Sequence, residues 1–335
     1  MRDIKLSVLI TTYNLEKYVA ETLDSVLNQK TDYIYEVLVG DDGSSDKTVE
    51  IVKKYQERYP DIIRYYVMDR EQDKKYDRIE RASRNRINLI NHAKGEYLIF
   101  LDGDDFYVDE RKLDKQIKLL ESDEYKNCIA CGHNVWTYYD EDNKIPINQK
   151  KDMAVIKAKD YWKYGMYLHS DSIMFRNIYN GYFPDSIPGA HYDDNIITFC
   201  LLTKGDILYI PDTMVCYRQL ENSSWNTMSD MDRNIVNLMD IDLELTIDKS
   251  FKKESLKRHL YPILYVWLHN EEVTKEIYDK YYPQIEECRM SWTKHWLNYK
   301  KHSKVKRFRM TAWLMANLVE YVFIKVGRVV LKKYL

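Results

Sequence analysis

Two short acidic clusters follow directly on apolar runs. Asp41-Asp42-Gly43-Ser44-Ser45-Asp46 comes after Tyr35-Glu36-Val37-Leu38-Val39-Gly40, and Asp102-Gly103-Asp104-Asp105 comes after Glu96-Tyr97-Leu98-Ile99-Phe100-Leu101. Carboxylates beside buried strand residues are costly unless they pair, hydrogen-bond or hold a cation. In open α/β sheets, ligands bind outside the carboxyl ends of the strands. The pattern therefore points to a site for a metal ion and a nucleotide. A nucleoside diphosphate needs a wall for its base, an acceptor for base or ribose donors, and compensation for phosphate charge. Thr11-Thr12-Tyr13-Asn14 can line a base pocket, and Asp42 can accept from a base N–H or a ribose hydroxyl. Asp102 and Asp104, separated only by Gly103, can place one carboxylate on the ribose and the other on a divalent ion; oxygen ligands suit Mg²⁺ or Mn²⁺. A single Asp-x-Asp is also ordinary turn or N-cap chemistry, so order and spacing must carry the argument.

The elements that position these residues alternate. Ser7 to Thr11 reads as a strand, and Glu16 to Gln29 as a helix with Val19, Leu23, Val26 and Leu27 at helical spacing. Strands at Glu36–Val39, Ile62–Met68 and Tyr97–Leu101 are separated by helices from Asp46, a candidate N-cap, to Tyr59 and from Arg78 to His92. This β-α-β-α-β-α-β order predicts an α/β fold with a doubly wound, mostly parallel sheet. Later elements are less regular: a helix at Leu113–Leu120, a strand at Cys128–Tyr139, a polar loop from Asp140 to Lys151 and a helix starting at Asp160. A short strand at Ser172–Phe175 follows, then a strand pair over Ile207–Arg218 broken at Pro211-Asp212. Beyond Met231 strand signals vanish and charged amphipathic helical stretches take over, which sets a boundary near residue 225.

Composition narrows the class. The 335 residues, 45% hydrophobic and 31% charged, describe a globular protein with a substantial core. Five cysteines, an odd number, make no disulfide framework and point to a reducing compartment. Cys128-Ile129-Ala130-Cys131 has the spacing of half a zinc or redox site but lacks a second Cys/His pair, so it reads as two strand cysteines. The N-terminus carries no charged-then-apolar signal segment, which gives a cytoplasmic expectation.

Taken in order, Ser7-Val8-Leu9-Ile10-Thr11-Thr12-Tyr13-Asn14, Asp41 to Thr48, Arg84-Asn85 and Ala93 to Asp105 closely resemble glycosyltransferase family 2, over roughly residues 4 to 225. The resemblance implies the GT-A fold, with residues 1–105 as the nucleotide-binding half and 106–225 as the acceptor-binding half. It also implies inverting transfer from a nucleotide-diphosphate sugar to a glycan or lipid-linked acceptor, helped by Mg²⁺ or Mn²⁺, and an expectation of surface polysaccharide synthesis. Inversion requires one carboxylate to deprotonate the acceptor hydroxyl while the departing diphosphate is stabilised. The family's base aligns with Asp194 in His191-Tyr192-Asp193-Asp194-Asn195-Ile196, with Asp193 replacing the usual glutamate; helix N-capping is the alternative use of this pair. Arg84 is the candidate for phosphate or for ordering the acidic cluster, although the glycine common two residues after Arg84-Asn85 is Ile87. Where the family has Tyr-Arg-x-His, this chain has Tyr217-Arg218-Gln219-Leu220, leaving the metal to Asp104, phosphate and water, with Asn222 or Ser223 as nearby oxygen donors. On the acceptor and donor-sugar side the candidates are His169, Asp171, Asp193, Arg218 and Trp225. A sugar nucleotidyltransferase would share the sheet and acidic ligands, but it needs a glycine-rich loop that Thr11-Thr12-Tyr13-Asn14-Leu15 lacks. A non-catalytic sugar-nucleotide-binding protein would have no use for Asp102, Asp104 and Asp194 together.

The C-terminal region, 226–335, reads as a helical extension ending in a basic segment, 304–335, with eight basic residues and one acid. Met310 to Ile324 is apolar apart from Thr311, Asn317 and Glu320, short of the roughly 20 residues a spanning helix needs. A helix lying on an anionic membrane surface fits, which would make the protein peripheral on the inner face of the cell membrane. Packing on its own domain or on a homodimer partner is the alternative. Cations bracketing an apolar helix argue against nucleic acid.

Overall fold

Along the first strand, β1 (Leu6–Thr12), Leu6, Val8 and Ile10 belong to one apolar cluster and Leu9 to another. Side chains alternate across a strand, so such a run is stable only when both faces are covered. The computed structural model describes residues 3–68, 78–163, 168–184, 191–220, 223, 225–259 and 262, and in it both faces are covered. After β1 come α1 (Val19–Leu27), β2 (Tyr35–Asp41), α2 (Thr48–Arg58), β3 (Ile63–Val67), α3 (Arg78–His92) and β4 (Tyr97–Asp102). On one face Val19, Leu23 and Val26 of α1 and Val52 of α2 pack against Val8, Ile10, Val37 and Ile99. On the other, Leu89 and Ile90 of α3 pack against Leu9, Leu38, Leu98 and Phe100. Each such side chain, when fully buried, contributes about 1.5–3 kcal/mol.

The second half comprises β5 (Phe106–Tyr107), α4 (Lys112–Glu121), β6 (Cys128–Tyr138), β7 (Lys144–Pro146), β8 (Ala154–Ile156) and β9 (Met174–Arg176). These are followed by α5 (Asp194–Leu202), β10 (Asp206–Arg218), α6 (Asp230–Ile247) and α7 (Lys252–Arg258). Among the described residues all ten strands form one sheet, in the order β3-β2-β1-β4-β9-β6-β10-β5, with β7 on β6 and β8 on β10. Pairing is parallel among β1 to β4 and between β6 and β10, and antiparallel where β9 joins β4 to β6. The sheet is thus doubly wound and mixed.

Three expectations are corrected. Residues 206–218 form one strand rather than a pair: Pro211 has no N–H for the ladder, and a register shift between Ile210 and Thr213 carries the strand past it. The polar loop of 140–151 contains β7, because the turn Tyr139–Asn143 folds it back onto β6. The helix expected from Asp160 is a 3₁₀ segment, Ala158–Lys163.

Register places the chemistry. Thr12 lies opposite Asp41, and Thr11 opposite Asp102, so β1 is flanked at its carboxyl end by both acidic clusters. The order reverses between β1 and β4, which is where such sheets open a crevice. The chain divides into two units, Met1–Pro262 and Ile263–Leu335. Helices α6 and α7, beyond the boundary expected near 225, belong to the first; residues 263–335, with the basic segment 304–335, lie outside the described residues.

Candidate active site

At the outer end of β1, the two strand-end loops are zipped together. Asn14, held at φ 55°, accepts from Ser45 N at 2.8 Å through Oδ1 and donates its own N–H to Ser44 Oγ at 2.8 Å. Asparagine tolerates this left-handed conformation better than most residues. Asp41 is fully buried and takes hydrogen bonds from Ser44 N (2.8 Å) and Thr12 Oγ1 (3.1 Å), so it shapes the loop. Its neighbour Asp42 instead receives Arg81 Nε at 2.9 Å. The Arg81 guanidinium lies 5.5 Å from the centre of the exposed Tyr13 ring, and its Nη2 is buried without a hydrogen-bond partner. Tyr13, Asp42 and Arg81 thus form one group.

At the end of β4, Asp102 accepts from Thr11 Oγ1 at 2.8 Å and from Arg86 Nη2 at 3.0 and 3.2 Å. Arg86 is buried and held ionised by Asp102 and Asp194 against the cost of desolvation. Arg84, the arginine singled out in the sequence, is half-buried on the same helix, and its neighbour Asn85 donates to Gly40 O at 2.8 Å. Gly103 is sterically required. Its N–H bonds Thr11 O at 2.8 Å, and a Cβ would fall 2.8 Å from that oxygen and 2.7 Å from Thr12 Cγ2.

The next two carboxylates crowd inward. Burial and the charge of Asp102 push the Asp104 carboxyl up to about 7. Asp105 is fully buried; one oxygen accepts Arg218 N at 2.8 Å, the other has no hydrogen-bond partner, and burial with the Asp104 and Asp171 charges raises it well above the usual range. Arg218 backs this turn, its guanidinium reaching Asp104 O and Glu21 and lying 4.3 Å from the Phe106 ring centre.

A 3₁₀ turn, Ser170–Ser172, brings His169 and Asp171 against the same carboxylates. Asp171 is fully buried, accepts Asp102 N at 3.3 Å through one oxygen and leaves the other without a hydrogen-bond partner. Burial opposes a charge on the His169 ring, but the carboxylates of Asp194, Asp171 and Asp102 raise its pKa. One ligand atom each from Asp105, His169 and Asp171 lie within 4.8 Å of one another. The two orphaned oxygens and the upward push on the carboxyls show a local excess of negative charge. That donor set, with half-buried Asp104 beside it, fits a divalent cation. Ser223 Oγ is engaged by Asn226 N at 3.1 Å, and Asn222 lies outside the described residues.

Helix α5 completes the group. Asp193 has extended backbone and caps the helix, accepting from Asn195 N and Ile196 N at 3.1 Å each. Asp194, the first helical residue, is thereby left to face the site, where its Oδ1 accepts Ser170 N at 3.1 Å. The positive end of a helix favours an ionised carboxylate there. Trp225 is exposed, with Arg233 bonded to its carbonyl at 3.1 Å.

The structure therefore brings together Thr11, Asp102, Asp104, His169, Asp171 and Asp194. Sequence reasoning passed over Arg81, Arg86 and Asp105. The first two stand in an arginine-rich helix whose sequence does not say which arginine faces the site, and Asp105 stands in the acidic cluster with nothing in the sequence to set it apart from Asp104.

Residues 7–183 match the family model described as Glycosyl transferase family 2. An uncharacterized protein of Mycobacterium tuberculosis is 28% identical over 229 residues, 66% of this chain and 61% of that protein, so the match spans about three-fifths of the relative's length. Poly(ribitol-phosphate) beta-glucosyltransferase of Bacillus spizizenii is 35% identical over 113 residues, 33% of this chain and 16% of the relative. Among solved structures, S. aureus TarS 1-349 in complex with UDP-GlcNAc superposes with a TM-score of 0.56 at 20% identity, covering 77% of this chain and 72% of that one. This likeness speaks for the fold. Among the described residues no helix is long and apolar enough to cross a membrane.

Proposed function

We propose that this chain, which belongs to glycosyl transferase family 2 and has the GT-A fold, transfers a sugar with inversion from a uridine diphosphate donor to a hydroxyl of a glycan or lipid-linked acceptor. One observation carries the reading: the β4 acidic cluster and the α5 carboxylate converge on a single turn, Asp171 bonding Asp102 N and Ser170 N bonding Asp194. A donor-binding end and a proton acceptor are what a single displacement needs at one place.

The nucleoside is assigned to the loops at the carboxyl ends of β1 and β2, beside the crevice that opens between β1 and β4. Uracil presents an N–H flanked by two carbonyls; the Asp42 carboxylate accepts the first, the Arg81 guanidinium donates to a carbonyl, and Tyr13 supplies a ring face. Asp102, neutralised in part by Arg86, accepts from the ribose. A divalent cation would be held by Asp104 with the Asp105, His169 and Asp171 group beside it, and would offset charge on the departing diphosphate. Asp194 takes the proton of the acceptor hydroxyl, its orientation fixed by Ser170 N, as that oxygen attacks the anomeric carbon and the bond to the diphosphate breaks. A polymeric acceptor is supported by the named activity of the B. spizizenii relative. Work at the cytoplasmic face of a membrane is supported by the cationic composition of residues 304–335.

The experiment is a thermal-shift panel of UDP, TDP and GDP, each with and without Mn²⁺. UDP with Mn²⁺ is expected to stabilise most, by about 2.7 kcal/mol at about 100 times its dissociation constant, with TDP next because it shares the pairing edge. GDP as the strongest ligand would overturn the nucleoside assignment, and stabilisation indifferent to Mn²⁺ would overturn the metal.

A further inference from the structure

The residue immediately after the proposed base is held by helices that follow the sheet. Asn195 uses both ends of its side-chain amide: Oδ1 accepts Arg258 Nη2 of α7 at 2.8 Å, and Nδ2 donates to Asp240 Oδ2 of α6 at 2.8 Å. Arg258 is itself fixed, with Nη1 on Glu244 Oε1 at 2.9 Å and its guanidinium 4.9 Å from the Tyr161 ring centre. Glu244 also meets His259 Nε2 at 3.2 Å, and Asp240 and Glu244 are both fully buried.

Such a network is an odd way to glue helices together. Buried charges are often replaceable by apolar residues with no loss of stability, so their presence asks for a purpose that packing does not serve. Their target is specific: the first turn of α5, where Asp193 caps the helix and Asp194 projects into the site. A planar fork anchored on Glu244 fixes direction as well as distance, which a lysine ammonium does not.

We propose that Arg258 is a positioning residue for the glycosyl transfer, acting through Asn195 to hold Asp194 at its working orientation, so that α6 and α7 belong to the catalytic apparatus. The inference rests on the reading of Asp194 as the base. Arg258 touches no substrate; it removes the freedom of the turn that carries the base, and small misplacements of reacting groups cost about 100-fold in rate.

The test is a double-mutant cycle with Arg258→Lys and Asn195→Ala in the full chain, reading UDP release from UDP-N-acetylglucosamine and UDP-glucose with saturating Mn²⁺. Each single variant is expected to lose about 10- to 100-fold in kcat with KM for the donor unchanged, and the double variant to be no slower than the slower single, because both act on one link. Affinity for UDP and Mn²⁺ by calorimetry should remain that of the wild type. Losses that multiply in the double variant, or that appear in KM rather than kcat, would overturn the proposal. Should Arg258→Lys fail to fold, Asn195→Ala decides alone, since Asn195 is only half-buried; wild-type kcat there overturns the clamp. Asp194→Asn run in parallel separates the two readings. Turnover surviving that change discards the base, whereas its loss beside fully active Asn195 variants discards only the role of Arg258.

Discussion

Asp194→Asn will lower kcat by about 10²–10⁴-fold, the usual contribution of a positioned general base, and leave donor affinity untouched. The substitution is nearly isosteric. An amide oxygen can still accept Ser170 N, and the cap of α5 is unaffected because Asp193 supplies it. What disappears is the capacity to take a proton, together with one of the negative charges facing Arg86 and His169. Steady-state kinetics beside calorimetry of UDP with Mn²⁺ checks the split: kcat should collapse while the dissociation constant stays. A variant that loses both would show that Asp194 organises the donor site instead.

Asp104→Asn will weaken the binding of Mn²⁺ in the presence of UDP by at least about 100-fold, more than is usual for residues that merely support metal ligands. The same change will lessen the pH dependence of that binding. In the metal-free protein, burial and the Asp102 charge raise the Asp104 carboxyl to about 7, so below that pH a cation must displace a proton. Wild-type affinity should therefore fall as pH drops through 7. The asparagine variant lacks the Asp104 proton, so the pH dependence that remains belongs to Asp105, His169 and Asp171. Calorimetric titration at several pH values reads both effects, and an unaltered pH profile in the variant would assign the proton to another group of the cluster.

How far this site could be read in advance depended on how local its causes are. The runs before Asp41 and Asp102 were legible because a strand covered on both faces must be almost continuously apolar, whatever the rest of the chain does. Which arginine meets Asp102 was not. Arg78, Arg81, Arg84 and Arg86 all stand on α3, and the rotation of that helix against β1 and β4, set by Leu89 and Ile90 in the core, selects Arg86 for Asp102 and Arg81 for Asp42. The division between Asp193 and Asp194 was similarly hidden. Two adjacent aspartates before an apolar run are equivalent on paper, and the extended backbone at Asp193 decides which one caps. The meeting of Asp105 with Asp171 needs β9 inserted antiparallel beside β4, a pairing no local signal announces. Arg258 lies farther still, 63 residues beyond Asn195.

A single displacement driven by Asp194 inverts the anomeric carbon, and the anomeric configuration of the product reports it most directly. Proton NMR of the transferred or released sugar, recorded early enough to precede mutarotation, should show the β-anomer from an α-linked UDP-sugar, with Mn²⁺ removed by chelation before the spectrum is taken. An α-anomeric product would mean retention, which a lone base opposite the departing diphosphate cannot give, and would contradict the mechanism outright.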